Sequence, residues 1–416
     1  MQTNKNIFLW VLYDFANSLV SIVFFLYFAQ WIVVDKGVSD FYFNLTFTIS
    51  ALLLLITVPI SGTLLDKYLR RITGLRYATA FTVFFYGVCA LAALYDKQIP
   101  ALIFFTLGLY FYLLSFTFYT PLLHDIAPIE KRGKVSGFGI TANYLGQFVG
   151  LLITLPFSTG AINIFSASPR AETLVPSVLA FGVLSLPMLL FFKEPHKKSE
   201  KISIKNAWRQ TLIETKLLFS VRNIFFFLLA YFLFNDAILT ASTNFPIVME
   251  QVWGVSDTVK TYLLIGILIT SAIGGSLAGF ISDKQGHKRV LTIILAGWII
   301  ILPVLGFIAN FTLFIVATIM MGLWFGATWT VSRSLMADIA PLGKHNIAFA
   351  YFGLAERASS FIGPLVWGAT VSSLVSLGSM RYRIAILVIT GFIVLGLIAL
   401  TKVKTENNLL KIQNNP

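Results

Sequence analysis

Twelve apolar stretches, each long enough to cross a bilayer, dominate this 416-residue chain. They fall at about 7–33, 41–65, 75–95, 100–123, 134–156, 172–192, 223–249, 258–282, 289–308, 311–337, 346–373 and 381–402. A spanning helix needs ~20 mostly apolar residues. Inside lipid an unpaired backbone group is so costly that only helices and closed barrels can cross, and no ten-residue alternating strand pattern occurs here. The expected fold is an all-α membrane protein of twelve transmembrane helices. Composition agrees, with 57% hydrophobic and 12% charged residues, against about 25% charged in a soluble domain. The first stretch exceeds the ~7–15 apolar residues of a signal peptide, contains Asp14 and lacks a small-residue cleavage site, so it is expected to stay as span one.

Several function classes fall away on the same reading. The formal charge of +13 is scattered over short loops and forms no basic face for nucleic acid. The single cysteine, Cys89, rules out a disulfide scaffold. His124, His196, His287 and His345 show no ligand spacing, so no metal site is expected. There is no phosphate-binding Gly-x-x-x-x-Gly-Lys-Ser/Thr loop, and no cofactor is expected. No nucleophile–base pair sits at a span end, which argues against an enzyme. Twenty-three of the 31 Lys and Arg residues fall on one side of the predicted spans and six on the other, with Arg333 and Arg357 inside spans. That bias places both termini and the longest loop, Lys193–Arg222, in the cytoplasm, and the protein in the cell (inner or plasma) membrane. The loop is read as an interfacial amphipathic helix or a plain tether.

The loop divides the spans six and six, and internal similarity points to a duplication. Gly62-Thr-Leu-Leu-Asp66-Lys67 followed by Arg70-Arg71 matches Gly279-Phe-Ile-Ser-Asp283-Lys284 followed by Lys288-Arg289. Asp125-Ile-Ala-Pro128 matches Asp338-Ile-Ala-Pro341, and Phe148-Val-Gly150 matches Phe361-Ile-Gly363. The expected organisation is an N-terminal six-helix half at 1–192, a basic linker at 193–222, a C-terminal half at 223–402 and a tail at 403–416. Two similar halves with a site between them is a plan of many secondary transporters.

The repeated Gly-x-x-x-Asp-Lys-x-x-Arg/Lys-Arg/Lys loop resembles the signature of the major facilitator superfamily. The residues singled out there are Gly62, Asp66, Arg70, Gly279, Asp283 and Arg289. Glycine permits close helix contact, Asp offers an anionic latch, and the basic residues hold the loop on the cytoplasmic side. Further segments are similar to bacterial facilitators related to the fungal autophagy-linked vacuolar amino-acid effluxers. They are Trp10-Val-Leu-Tyr13-Asp14-Phe-Ala-Asn17-Ser18, Phe227–Asp236, Ser136-Gly-Phe-Gly139 with Asn143-Tyr144-Leu-Gly146, Ser332-Arg333-Ser334, Ala350–Gly353 and Gly363-Pro364. The resemblance implies the major facilitator fold, with spans one, four, seven and ten lining a central cavity.

An intramembrane charge costs at least ~2.5–3.5 kcal/mol on insertion scales, so each is a functional candidate. Asp14 shares a helix face with Asn17, Ser18 and Ser21, and Asp236 with Thr240, Thr243 and Asn244. Arg333 can fork onto a carboxylate or close a gate, with Trp329 one turn away to stack on it. Glu356 and Arg357 point about 100° apart on span eleven, so each needs its own partner. Asp14, Asn17, Asp236, Thr240, Trp329 and Arg333 are the expected substrate contacts, and Asp14 and Glu356 the expected proton-coupling acids. Tyr112, Ser115 and Tyr119 on span four read as packing or as a cavity wall. Gly146/Gly150 and Gly275/Gly279 read as sliding surfaces where spans five and eight pack across the halves. The expected function is a secondary transporter moving an amino acid or a similar zwitterion or organic anion by alternating access, coupled to protons. A broad-specificity drug or lipid exporter is the alternative, and a non-transporting receptor or scaffold the alternative of another class. The expected partners are a small solute, protons or another ion, and lipid, with the chain as a monomer.

Overall fold

Hydropathy places helices, and the loops between them bend where the backbone is freed. In the computed structural model, residues 2–65, 70–127, 132–194, 220–340 and 345–404 are described. Spans one to ten correspond to α1 (Gln2–Val23), α2 (Asp40–Leu65), α3 (Arg71–Leu94), α4 (Gln98–Tyr119), α5 (Arg132–Ser158), α6 (Leu174–Phe191), α7 (Arg222–Trp253), α8 (Asp257–Gln285), α9 (His287–Phe307) and α10 (Phe311–Ile339). The tight link between α9 and α10 is closed by the Asn310 side chain, which accepts from Leu313 N–H at 3.1 Å and so satisfies one of the orphan donors of the helix start.

Two departures from the expected pattern bear on function. Span eleven is two helices, α11 (His345–Ala358) and α12 (Gly363–Ser373), and span twelve is α13 (Met380–Thr401). Eleven helices among the described residues are therefore long and apolar enough to cross a membrane. Span one does not end with α1. It continues through π-helical turns at Phe24–Phe28 and Trp31–Asp35, a rare geometry that collects at functional sites. The expected interfacial helix falls mostly at 195–219, outside the described residues.

The chain divides into two compact units. The first holds residues 1–207 together with 249–261, and the second holds 208–248 with 262–416. In the first, α1 packs on α5 and α6, and α4 on α2 and α3. Aromatic rings fill its centre, with Phe24 and Tyr86 stacked at 4.1 Å and Phe28 tilted against Phe105 at 4.5 Å. In the second, α9 packs on α10 and α13, and α12 on α13. The glycine pairs make their close approaches inside each unit. A Cβ on Gly146 would overlap the Phe15 carbonyl, and one on Gly150 would sit 2.8 Å from the Leu19 carbonyl, so α5 rests backbone to backbone on α1. Gly275 faces Gly326 of α10 in the same manner. The approaches these glycines make are to helices of their own unit, where packing across the halves was expected, and the missing side chain is what lets the backbones come so close.

Candidate functional site

Each unit contains a polar cluster built by corresponding helices. In the first, Asp14 of α1 is half-buried. Its Oδ1 accepts from Asn143 Nδ2 of α5 at 3.3 Å, and Asn143 Oδ1 accepts from Gln147 Nε2 at 2.7 Å. Gly139 opens the space: a Cβ there would lie 3.2 Å from Asp14 Oδ2 and 2.7 Å from the Trp10 ring. Trp10 stacks on Tyr119 of α4 at 4.8 Å. The Tyr119 hydroxyl donates to the Trp10 carbonyl at 2.9 Å, and Trp10 Nε1 donates to the Tyr119 carbonyl at 3.3 Å. Tyr119 therefore packs rather than forming a free wall, and Tyr112 and Ser115 are likewise buried. Asn17 is fully buried, and neither atom of its amide has a hydrogen-bond partner among the described residues. A buried unpaired amide is costly.

In the second unit, Asn235 of α7 stands between two helices. Its Oδ1 accepts from Trp329 Nε1 of α10 at 2.9 Å, and its Nδ2 donates to the Glu356 carbonyl at the end of α11 at 3.3 Å. One turn along α10 from Trp329, Arg333 Nη2 lies 3.4 Å from Glu356 Oε1. Both side chains are partly exposed, at 48% and 32%. The acid's ion-pair partner is thus Arg333 on another helix, while Arg357 beside it points elsewhere, as helical geometry requires. Asp236 and Thr240 are buried at 0% and 1% exposure, and Asp236 Oδ2 accepts from the backbone N–H of Gly363 at 2.7 Å.

The two repeated motifs meet in space. Arg71, at the base of the α2–α3 loop, pairs with Asp125 at 2.9 Å. In the second unit His287 bridges Asp283 and Asp338. The carboxylate of each Asp-Ile-Ala-Pro segment thus anchors the signature loop of its own half. Glu194 adds a cap to α3, its carboxylate accepting from the N–H groups of Arg71 and Ile72 at 3.2 and 3.1 Å, as favoured at a helix start. Gly279 lies along α8 beside Thr330, Arg289 is exposed and Arg70 precedes α3. Gly62 lies in α2, and Asp66 falls outside the described residues.

A third cluster sits at the far end of the first unit, around the connector from α7 to α8. Arg170 forks onto Asp257, Nε to Oδ2 at 2.9 Å and Nη2 to Oδ1 at 3.0 Å. It also pairs with Asp35 and Glu250, each at 2.6 Å. Lys260, with a fully buried side chain, pairs with Glu250 at 2.6 Å and Asp257 at 2.9 Å, and donates to Gln30 Oε1. Next to it the Tyr27 hydroxyl meets Thr261 Oγ1 at 3.3 Å and Ser158 Oγ at 3.2 Å. The π-helical turns of span one supply Tyr27 and Asp35, with Gln30 between them.

Comparison with known proteins places this arrangement. Residues 123–408 match the family described as vacuole effluxer Atg22 like. The chain belongs to the Atg22-like family. Residues 1–208 of this Atg22-like chain also match the sugar (and other) transporter family. It is a membrane transporter of the major facilitator superfamily and not an enzyme. A protein of Bacillus subtilis described as the uncharacterized MFS-type transporter YxiO is 25% identical over 94% of both chains. A Lactococcus lactis protein described as a multi-drug resistance efflux pump PmrA homolog is 24% identical over 95% of this chain and 93% of that one. Autophagy-related protein 22 of Vanderwaltozyma polyspora is 25% identical over 59% of this chain and 54% of that one. In fold, the chain is similar to a bacterial homolog of the human lysosomal transporter Spinster, with a TM-score of 0.75 at 14% identity over 96% of this chain and 97% of the other. The nucleoside transporter NupG superposes with a TM-score of 0.72 at 12% identity over 96% and 98%.

Sequence reasoning for this Atg22-like chain identified the residues of the first two clusters but missed Asn235 and the whole connector cluster. Asn235 stood beside the more conspicuous Asp236. Arg170 and Lys260 were counted only as loop charges for topology. A charge at a span end is ordinary, and nothing in linear order brings together groups 80 to 135 residues apart.

Proposed function

We propose that this transporter is a proton-coupled carrier working by alternating access, and that its solute bears a carboxylate: an amino acid, a similar zwitterion or an organic anion. The observation supporting this is the half-exposed Arg333–Glu356 pair. At 3.4 Å it is longer than the ~2.7–2.9 Å of a tight charge-assisted bond, and both partners are partly exposed. A solute carboxylate can take the guanidinium by its two-pronged edge and displace Glu356. The displaced glutamate is then the proposed site of the coupled proton. Solute binding and proton binding are then linked through one cation, and the linkage is reciprocal. Asp14, held by the Asn143 amide in the first unit, is the second acid proposed for proton coupling. Asn17 in the first unit and Trp329 in the second are further solute contacts proposed within their own halves. We place the protein in the cell membrane as a monomer, with both termini cytoplasmic from its basic loops, and divide it into halves at the 193–222 linker.

The test is uptake in liposomes under an imposed pH gradient, screened over amino acids, organic anions and nucleosides. Glu356→Gln is expected to abolish accumulation driven by the gradient while leaving exchange at equal pH intact. Arg333→Lys keeps the charge and loses the fork, so it is expected to weaken binding of a carboxylate solute. Full proton-driven uptake in both Glu356→Gln and Asp14→Asn would refute the coupling. A drug exporter is the second reading, favoured by the name of the Lactococcus relative. It predicts efflux of lipophilic cations that depends on Asp14.

A further inference from the structure

Span eleven is broken at Ser359–Ile362, and a break at membrane depth must be satisfied by protein or by water. It leaves carbonyls without partners at the end of α11 and N–H groups without partners at the start of α12. Two adjacent residues of α7 meet one of each. Asn235 Nδ2 donates to the Glu356 carbonyl at 3.3 Å, a group that an unbroken helix would have bonded to the N–H of residue 360. Asp236 Oδ2 accepts from the Gly363 N–H at 2.7 Å. The chemistry fits each end: an amide donor for the carbonyl end, and a carboxylate oxygen as acceptor for the N–H end. Gly363 completes the fit, since a Cβ there would overlap Thr240 Oγ1 and lie 2.8 Å from Asp236 Oδ1. The carbonyl that Asn235 grips belongs to Glu356, whose side chain reaches Arg333. Through Trp329, Asn235 is also tied to the helix that carries Arg333.

We infer that Asn235 and Asp236 form a two-sided clip that holds the break in span eleven and thereby sets Glu356 opposite Arg333, with Asp236 a positioning residue rather than a solute contact. Its importance for transport rests on the proposed role of Glu356, whereas the clip itself can be read without transport. The backbone of α11 fixes where the Glu356 side chain begins, so loosening either end of the break lets the acid drift from the cation. Asp236 is enclosed at 0% exposure; its Oδ2 accepts from the start of α12, and its buried Oδ1 has no partner among the described residues. It is poorly placed to meet a solute in the same geometry.

The experiment places a thiol at the acid's own position, Glu356→Cys in a Cys89→Ala background, and follows its reaction with a small water-soluble methanethiosulfonate in purified full-length protein. Asp236→Ala and Asn235→Ala are each expected to change the labelling rate by about tenfold or more, as loss of a buried bond at either end of the break implies. Asp236→Asn keeps an oxygen for the Gly363 N–H. It also keeps the side-chain volume beside Gly363, so it preserves the cap while removing the charge. It is expected to stay within about threefold of the parent. Labelling of an exposed position on α8, Ser276→Cys, controls for global unfolding, and Asn235→Ala keeps the test open if Asp236→Ala fails to fold. The clip is overturned if the alanine variants leave the rate unchanged. It is also overturned if Asp236→Asn shifts the rate as far as Asp236→Ala, since the charge and not the cap would then be needed. None of these outcomes depends on whether Glu356 carries a proton, which the liposome assay decides separately.

Discussion

Replacing Lys260 by methionine tests whether the connector cluster is a lock. The cluster sets three carboxylates, Asp35, Glu250 and Asp257, against two cations, Arg170 and Lys260. Lys260→Met keeps most of the stem volume but removes the ammonium, leaving three carboxylates facing one guanidinium. Lys260 is fully buried, and Asp257 is only 9% exposed. Breaking a buried pair by deleting one partner typically costs about 3–5 kcal/mol, because the other charge is left uncompensated. If that cost falls on the seating of the 249–261 connector against the first unit, the ratio of released to seated forms rises by about two to nearly four orders of magnitude. The assay is the labelling of Val255→Cys, a connector position 5% exposed, in a Cys89→Ala background in detergent. Labelling is expected to be slow in the parent and fast in Lys260→Met. Adding Glu250→Gln removes one carboxylate and restores the original balance of one excess negative charge, so the double variant is expected to label more slowly than Lys260→Met. Equal, slow labelling in the parent and both variants would refute the reasoning. Water would then already be solvating these charges, and the cluster would be an ordinary surface network worth ~0–1 kcal/mol per pair.

Four further outcomes are expected. Asp283→Asn weakens the His287 bridge to Asp338 and, with Asp66→Asn, is expected to change the balance between states open to either side more than solute affinity; unchanged accessibility of cavity cysteines on both sides counts against this. Gly326→Ala puts a Cβ onto the Ser271 carbonyl and is expected to destabilise the second unit by about 1–3 kcal/mol, read as a lower melting temperature, whereas Gly391→Ala, which meets no atom within 4 Å, is expected to leave it unchanged. Single cysteines within Lys193–Arg222 should resist impermeant thiol reagents in intact cells; labelling from outside reverses the topology. Hydrogen exchange at 359–362 is expected to be faster than at the corresponding 146–149 of α5, and equal protection at both would mean that the break is as firmly held as a helix.

What the sequence revealed, and what it concealed, follows from the range of each interaction. Spans one to ten and twelve are legible because ~20 apolar residues suffice to define a crossing. The duplication is legible because three motif pairs recur in the same order. Span eleven was read as continuous because hydropathy ignores hydrogen bonding. Yet Ser359-Ser360-Phe361-Ile362-Gly363-Pro364 contains a signal: proline tolerates the first turn of a helix and disfavours helical geometry just before it, and Pro364 indeed opens α12. The small-residue pairs were read correctly as close contacts but assigned to the wrong neighbours, because a glycine announces an approach without naming the partner. The connector cluster was hidden for a different reason. Its six polar residues, Gln30, Asp35, Arg170, Glu250, Asp257 and Lys260, come from three separate stretches of chain, and only the tertiary fold brings them together.

The two units show how one ancestral contact can be put to two uses. In the first, α1 meets α5 through Asp14 and Asn143. In the second, α7 meets α11 through Asn235 and Glu356, the latter 213 residues beyond Asn143. Where α5 runs unbroken past Gly146 and Gly150 with backbone seated on α1, the second unit turns Asp236 toward the corresponding Gly363 and the helix parts there. A carboxylate can replace a run of intrahelical bonds only by capping the new helix start, and that cap leaves the preceding turn tied by side chains rather than by its own backbone ladder. The first half therefore keeps its amide–acid pair on an unbroken helix. The second has a broken segment, and the acid on that segment lies 3.4 Å from Arg333. On the proposed function, the break is what lets that acid part from its cation, within the second half, when a solute carboxylate arrives.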